Sequence, residues 1–136
     1  MTYRKDWIQP QVGPMGFAGT SKTIGRVVTV TAADNTTGNT IGAFKVPAGF
    51  TVTGIIAVPT DMDSGANMTI SVGDAGSGVR YLSASTMGQA ATTTTTLAAT
   101  GLLFLNTVDT EILVTITVQG TAAGTIALYL QGFMAQ

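Results

Sequence analysis

The chain has 136 residues, 45% of them hydrophobic and only 10% charged, and its six Lys+Arg against seven Asp+Glu leave a formal net charge of −1. That length suits one domain with a sizeable core; the lack of a basic stripe argues against nucleic-acid binding, and no apolar run is long enough to span a membrane. Without cysteine or histidine there is no disulfide, no thiolate or imidazole metal site, and no Ser-His-Asp or Cys-His nucleophile.

Residues 1–22 form an extended N-terminal arm. Pro10, Gly13, Pro14, Gly16 and Gly19 break any regular element. The arm nonetheless holds Tyr3, Trp7, Ile8, Val12, Met15 and Phe17, where a free tail would be polar. An apolar, irregular segment belongs in a groove, either of its own domain or of a neighbour. Trp7 is the only tryptophan, a residue type favoured as an interface anchor.

Residues 23–136 read as a β-domain. Threonine fills 25 positions and glycine 17, a composition of strands and turns. Arg26–Ala32 is a first predicted strand, Ile41–Val46 a second and Thr51–Val58 a third. In the third, alternation puts Val52, Ile56 and Val58 on one face. Asn67–Val72 is a fourth, with Met68, Ile70 and Val72 inward. Val79–Ala84 is a short strand or a helical turn. The β-branched run Thr92–Leu97 and the apolar Leu102–Asn106 complete the middle of the chain as strands. Glu111–Phe133 alternates strictly on both sides of Gly120-Thr-Ala-Ala-Gly124, which predicts a closing β-hairpin. Leu113, Tyr129 and Phe133 then fall on its outward face, as a second contact surface beside the arm. The sum is an all-β antiparallel domain of about eight or nine short strands, the sign of a sandwich or barrel.

Catalytic chemistry is not evident. The carboxylates Asp61, Asp63, Asp74, Asp109 and Glu111 all sit in or beside turns, where aspartate ordinarily holds backbone amides. Asp61 and Asp63 have the spacing of a calcium loop, but the twelfth position of such a loop is Val72 rather than glutamate. They are the one weak metal candidate. The reading is a protein that is not an enzyme and takes no cofactor.

Met68-Thr-Ile-Ser-Val-Gly-Asp-Ala75 followed by Val79-Arg-Tyr-Leu-Ser-Ala84 resembles a segment of small virion proteins of tailed bacteriophages. Ile112–Val118 and Gly124–Leu130 are similar to the closing strands of the same group. The likeness spans residues 24–133, leaving the arm to be read from composition. It implies a jelly-roll-like capsid decoration or cement protein on the outer capsid surface of the virion, bridging major capsid protein subunits as a homodimer or homotrimer. Low surface charge agrees with life in an assembly. The partner contacts expected are Tyr3, Trp7, Ile8 and Phe17, with Leu113, Tyr129 and Phe133. The alternative is a tail-fibre or spike-type module contacting host glycans, which would use exposed aromatics and a calcium loop at Asp61 and Asp63.

Overall fold

The computed structural model of the chain describes residues 21–134. They form seven strands: β1 (Ser21–Val30), β2 (Thr40–Val46), β3 (Phe50–Pro59), β4 (Thr69–Gly73), β5 (Leu82–Ser85), β6 (Thr110–Val118) and β7 (Gly124–Met134). Single 3-10 turns at Met87–Gln89 and Ala99–Gly101 lie between β5 and β6. All pairings are antiparallel, in one sheet ordered β1-β7-β3 and another ordered β2-β6-β4-β5.

The order identifies the winding. Residues 94–105 run beside the free edge of β3, bridging Ala57 to Thr94 and Thr51 to Leu105. Counted as an eighth strand, this segment completes two four-strand layers in the order of a jelly roll. The predicted strands Thr92–Leu97 and Leu102–Asn106 are therefore this edge segment. It pairs with β3 only at its two ends because the Ala99–Gly101 turn lifts the chain away between them. The first strand also starts earlier than predicted, at Ser21 rather than Arg26.

The predicted hairpin does not form. β6 is central in the four-stranded sheet and β7 in the three-stranded one, so Gln119–Ala123 carries the chain across the sandwich. Both strands carry an aliphatic face, and paired side by side they would have left those faces on one surface. Placed in opposite layers, Ile112, Val114 and Ile116 of β6 confront Ile126, Leu128 and Leu130 of β7 and all six are buried. Val28, Phe50, Ile55, Met68, Ile70 and Val72 fill the same core.

Asn35 locks the crossing. Its Nδ2 donates to the carbonyls of Ala122 (2.7 Å) and Met62 (3.3 Å), and its Oδ1 accepts from the Gly120 amide at 2.7 Å. The amides of Thr121 and Ala122 add bonds to the Met62 carbonyl. A Cβ on Gly120 would collide with that same carbonyl, which is why the second residue of the crossing is glycine.

Two bulges reset which residues face inward. In β3 the register slips between Val52 and Gly54, so Val52, Ile55 and Ala57 are buried. Ile56 and Val58, predicted to share the face of Val52, point outward instead, because one extra residue inverts the alternation beyond it. A similar slip between Gly42 and Phe44 in β2 puts Ala43 and Val46 inside.

Replacing Asn35 by alanine leaves the Gly120 amide and the Ala122 carbonyl short of a partner, each such group costing about 1–3 kcal/mol, while the Met62 carbonyl keeps the Thr121 and Ala122 amides. Asn35→Ala should lower the urea midpoint by an amount equivalent to about 2–3 kcal/mol without changing the denaturant slope. An unchanged midpoint would mean that the crossing is held by the backbone bonds alone.

Candidate interface

One end of the sandwich gathers the features that a partner could recognise. The start of β6, the β4–β5 turn and the 104–109 segment meet there around an open cleft of about 370 Å³, and the β2–β3 turn is tied to it through the Ala48 and Gly49 amides, which donate to Asp109 and to the Asn106 carbonyl. Leu102, Leu103, Leu105 and Val108 stand out at this end, 55%, 61%, 45% and 65% exposed. Four large apolar side chains so close in sequence and so exposed exceed the scattered apolar exposure of an ordinary surface.

The leucines are held on a fixed backbone. Leu103 has φ +59°, a left-handed conformation that a branched side chain resists, at a cost of about 1–2 kcal/mol. Its amide donates to the Val52 carbonyl at 2.7 Å, and the Val52 amide donates to the Phe104 carbonyl at 3.1 Å. Asn106 adds bonds from its amide and its Nδ2 to the Phe50 carbonyl. The edge of β3 thus imposes the bend that presents Leu103 to solvent.

Behind the leucines runs a polar-aromatic chain. Asp74 accepts from Gly76 and Ser77 amides at 2.9 Å and from Arg80 Nε and Nη2 at 2.8 and 3.2 Å. Burial pushes the Asp74 carboxyl up, but the Arg80 bond, the Ser77 and Gly76 amides and the Arg80 charge outweigh it and hold its pKa below the ordinary value. Arg80 in turn lies 3.7 Å over the Phe104 ring, whose edge meets the buried Tyr81 ring at 77°. The Tyr81 hydroxyl and Asn106 Oδ1 are buried without a hydrogen-bond partner among the described residues. Burial raises the Tyr81 phenol pKa, with the neighbouring Asn106 side chain pulling the other way. This stack fixes Phe104, and with it the leucines on either side.

The sequence-predicted residues fall in different places. Tyr3, Trp7, Ile8 and Phe17 lie outside the described residues. Leu113 lines the cleft on the four-stranded sheet, whereas Tyr129 and Phe133 are half-buried on the outer face of the three-stranded sheet. They do not make one surface, because β6 and β7 are in different layers. Around Tyr129 the outer face is apolar: the cross-strand rows are Gly25–Tyr129–Ile56 and Val27–Ala127–Val58, with Val27 and Val58 exposed. The exposed leucines were missed because Leu102–Asn106 reads as a buried strand. The usable signal was its unbroken Leu-Leu-Phe-Leu, which cannot all face one way in an extended chain.

Asp61 and Asp63 form a self-contained loop. Both Asp63 carboxylate oxygens are occupied by backbone donors, Gly65 at 3.1 Å, Asn67 at 2.9 Å and Met68 at 2.8 Å, and Asp61 Oδ1 accepts from the Asp63 amide. The Met68 amide, then those of Gly65 and Asn67, hold the Asp63 pKa below the ordinary aspartate value. These oxygens fasten the β3–β4 connection. Among the described residues, no three acidic side chains converge as metal ligands would.

The fold and this end of it define a compact jelly roll that presents an apolar, rigidly backed surface. A chain of the cyanophage Pam1 capsid asymmetric unit matches it with a TM-score of 0.71 and 30% identity, over 93% of this chain and 95% of that one. A chain of the capsid of Ralstonia phage GP4 matches with a TM-score of 0.74 and 22% identity, over 95% and 92% of the two chains. A chain of the acidic stable capsid structure of Helicobacter pylori bacteriophage KHP30 shares the fold at a TM-score of 0.66 and 10% identity, over 88% and 92%. No family model matches the sequence, and no curated protein does. With 30% identity over nearly the whole of both chains, the protein belongs to the family of the cyanophage capsid chain: it is a phage virion protein with a structural place in the capsid.

The depressed Asp63 and Asp74 carboxyls make a pH prediction. An unfolded aspartate titrates at about 3.9, above their folded values, so their stabilisation is complete above that pH and is lost as the pH falls through it. The thermal midpoint should hold from about pH 7 to 5 and fall below about pH 4. Asp63→Asn should lower the midpoint at neutral pH and flatten its acid limb, and added calcium should leave the midpoint where it is. An equally steep acid limb in the variant would remove Asp63 from this role.

Proposed function

We propose that this capsid protein decorates the outer surface of the shell and cements it by bridging major capsid protein subunits, acting as a homodimer or homotrimer in a tailed-phage virion. The role needs binding surface and no catalysis, and in this reading the protein is not an enzyme and uses no cofactor. The observation that carries it is the row of exposed leucines at 102, 103 and 105, held out on a strained and well-braced backbone. Strain kept at a surface position points to a binding role there. The match to a capsid chain over nearly its whole length supports the same reading.

A cement protein binds the assembled lattice better than free shell subunits and so stabilises the shell by mass action. Many copies, each bound modestly, act together through multivalency. The arm residues Tyr3, Trp7, Ile8 and Phe17 contribute contacts to the shell alongside the leucines. The rival reading, a tail-fibre or spike-type module on host glycans, would want an exposed aromatic platform and a calcium loop. Tyr81 is buried and the Asp63 oxygens are engaged, which favours the cement reading.

The test is reloading of purified protein onto shells that lack it. Wild-type protein should raise the temperature at which the shells rupture. Truncating a leucine buried at a contact costs about 1–2 kcal/mol, roughly tenfold in affinity, so Leu102→Ser and Leu105→Ser should each weaken loading about tenfold. Deleting residues 1–20 removes none of the seven strands, and the truncated domain should fold yet load more weakly. Full loading by the leucine variants would remove this end of the sandwich from the interface.

A further inference from the structure

The exposed leucines and the cleft beside them pose a question that the cementing role leaves open: what covers them before the protein reaches a shell. The cleft is lined by Phe104, Val108 and Leu113 together with the carboxylates Asp74, Asp109 and Glu111. Asp74 is neutralised by Arg80, the one ion pair among the described residues. Asp109 uses one oxygen to accept from the Ala48 amide at 3.0 Å, and Glu111 stands opposite Lys45 across the β2–β6 pair without closing an ion pair with it. The surface therefore asks for a partner that is aromatic or aliphatic and carries positive charge.

The chain holds such a segment. Tyr3-Arg4-Lys5-Asp6-Trp7-Ile8 combines three large apolar residues with two adjacent cations. Its point of departure is close by. Ser21 pairs with Phe133, Phe133 with Thr51, and Thr51 with Leu105, so the start of β1 and the leucines lie in one cross-strand row. Three inter-strand steps of about 4.8 Å put them about 14 Å apart. The 16 residue-to-residue steps from Lys5 to Ser21 can span up to about 53 Å, several times that distance. The other apolar surface, the rows Gly25–Tyr129–Ile56 and Val27–Ala127–Val58, offers no carboxylate to Arg4 and Lys5.

We infer that in the free subunit residues Tyr3–Ile8 fold back onto the Leu102–Val108 surface of their own chain, with Arg4 and Lys5 facing Asp109 and Glu111. The two apolar surfaces then shield each other until a shell offers partners for both. A tether of this length gives the docked state a high effective concentration and favours the chain's own arm over a neighbour's.

Trp7 is the only tryptophan, so the full-length chain reports on this contact directly. Docked, its fluorescence should be blue-shifted and poorly quenched by acrylamide, at all protein concentrations. Arg4→Glu with Lys5→Glu, which leaves the sandwich untouched, should shift the emission to the red and raise the quenching constant severalfold. Leu103→Gly with Leu105→Ser should do the same from the other side, and glycine suits the left-handed backbone at 103. A water-exposed Trp7 in the wild-type chain, or a blue-shifted one that neither variant moves, would overturn the inference. A shift that disappears on dilution would assign the arm to a second copy and overturn the in-chain contact. Because the measurement uses the free subunit, its outcome is separate from whether the protein cements a shell.

Discussion

Each sheet of this protein has one aliphatic face, and neither can be buried without the other. β6 and β7 are interior strands of their respective layers, and their separation sets their aliphatic faces against each other across the core. The Gln119–Ala123 crossing is thus the connection on which the closed sandwich depends. Asn35 holds it with three side-chain bonds to backbone groups that a crossing chain could not pair within a sheet. Everything at the opposite end, including the cleft and the exposed leucines, is positioned by the sandwich that this crossing closes.

The way the sequence can be read follows from the same physics. Alternation in Ile112–Val118 and Ile126–Leu130 marks two strands with one buried face each, and that is what they are. It carries no information about whether the strands pair or face each other, because a five-residue glycine-bounded link serves a hairpin and a corner equally well. The all-β class was legible in the strand pattern, and the jelly-roll winding came only with the resemblance; the bulges at Ala43 and Thr53 were not legible, and the second decided that Ile56 and Val58 face outward. The threonine run has the strand propensity expected of it, yet bridges β3 only at Thr94. The candidate interface was the least legible part. Exposure of Leu102, Leu103 and Leu105 follows from a bend imposed by β3, a partner distant in sequence.

In the proposed role, function lies in surface rather than in chemistry. Asp63 and Asp74, which resemble ligand or catalytic carboxylates in the sequence, spend their oxygens on backbone amides and on Arg80. What the fold spares from such internal duty is apolar: the leucines at one end, and Val27 and Val58 on the outer face. A capsid subunit that must meet several neighbours at once can use such surfaces at modest strength, since its avidity comes from the number of contacts.

The central claim, that the protein coats and cements a shell, is tested most directly by counting. Quantitative mass spectrometry of purified particles gives the copies of this chain per copy of the main shell protein. The account predicts a ratio near one or a simple fraction of it, the signature of attachment throughout a symmetric lattice. A handful of copies per particle would contradict it and would move the protein to the tail or fibre.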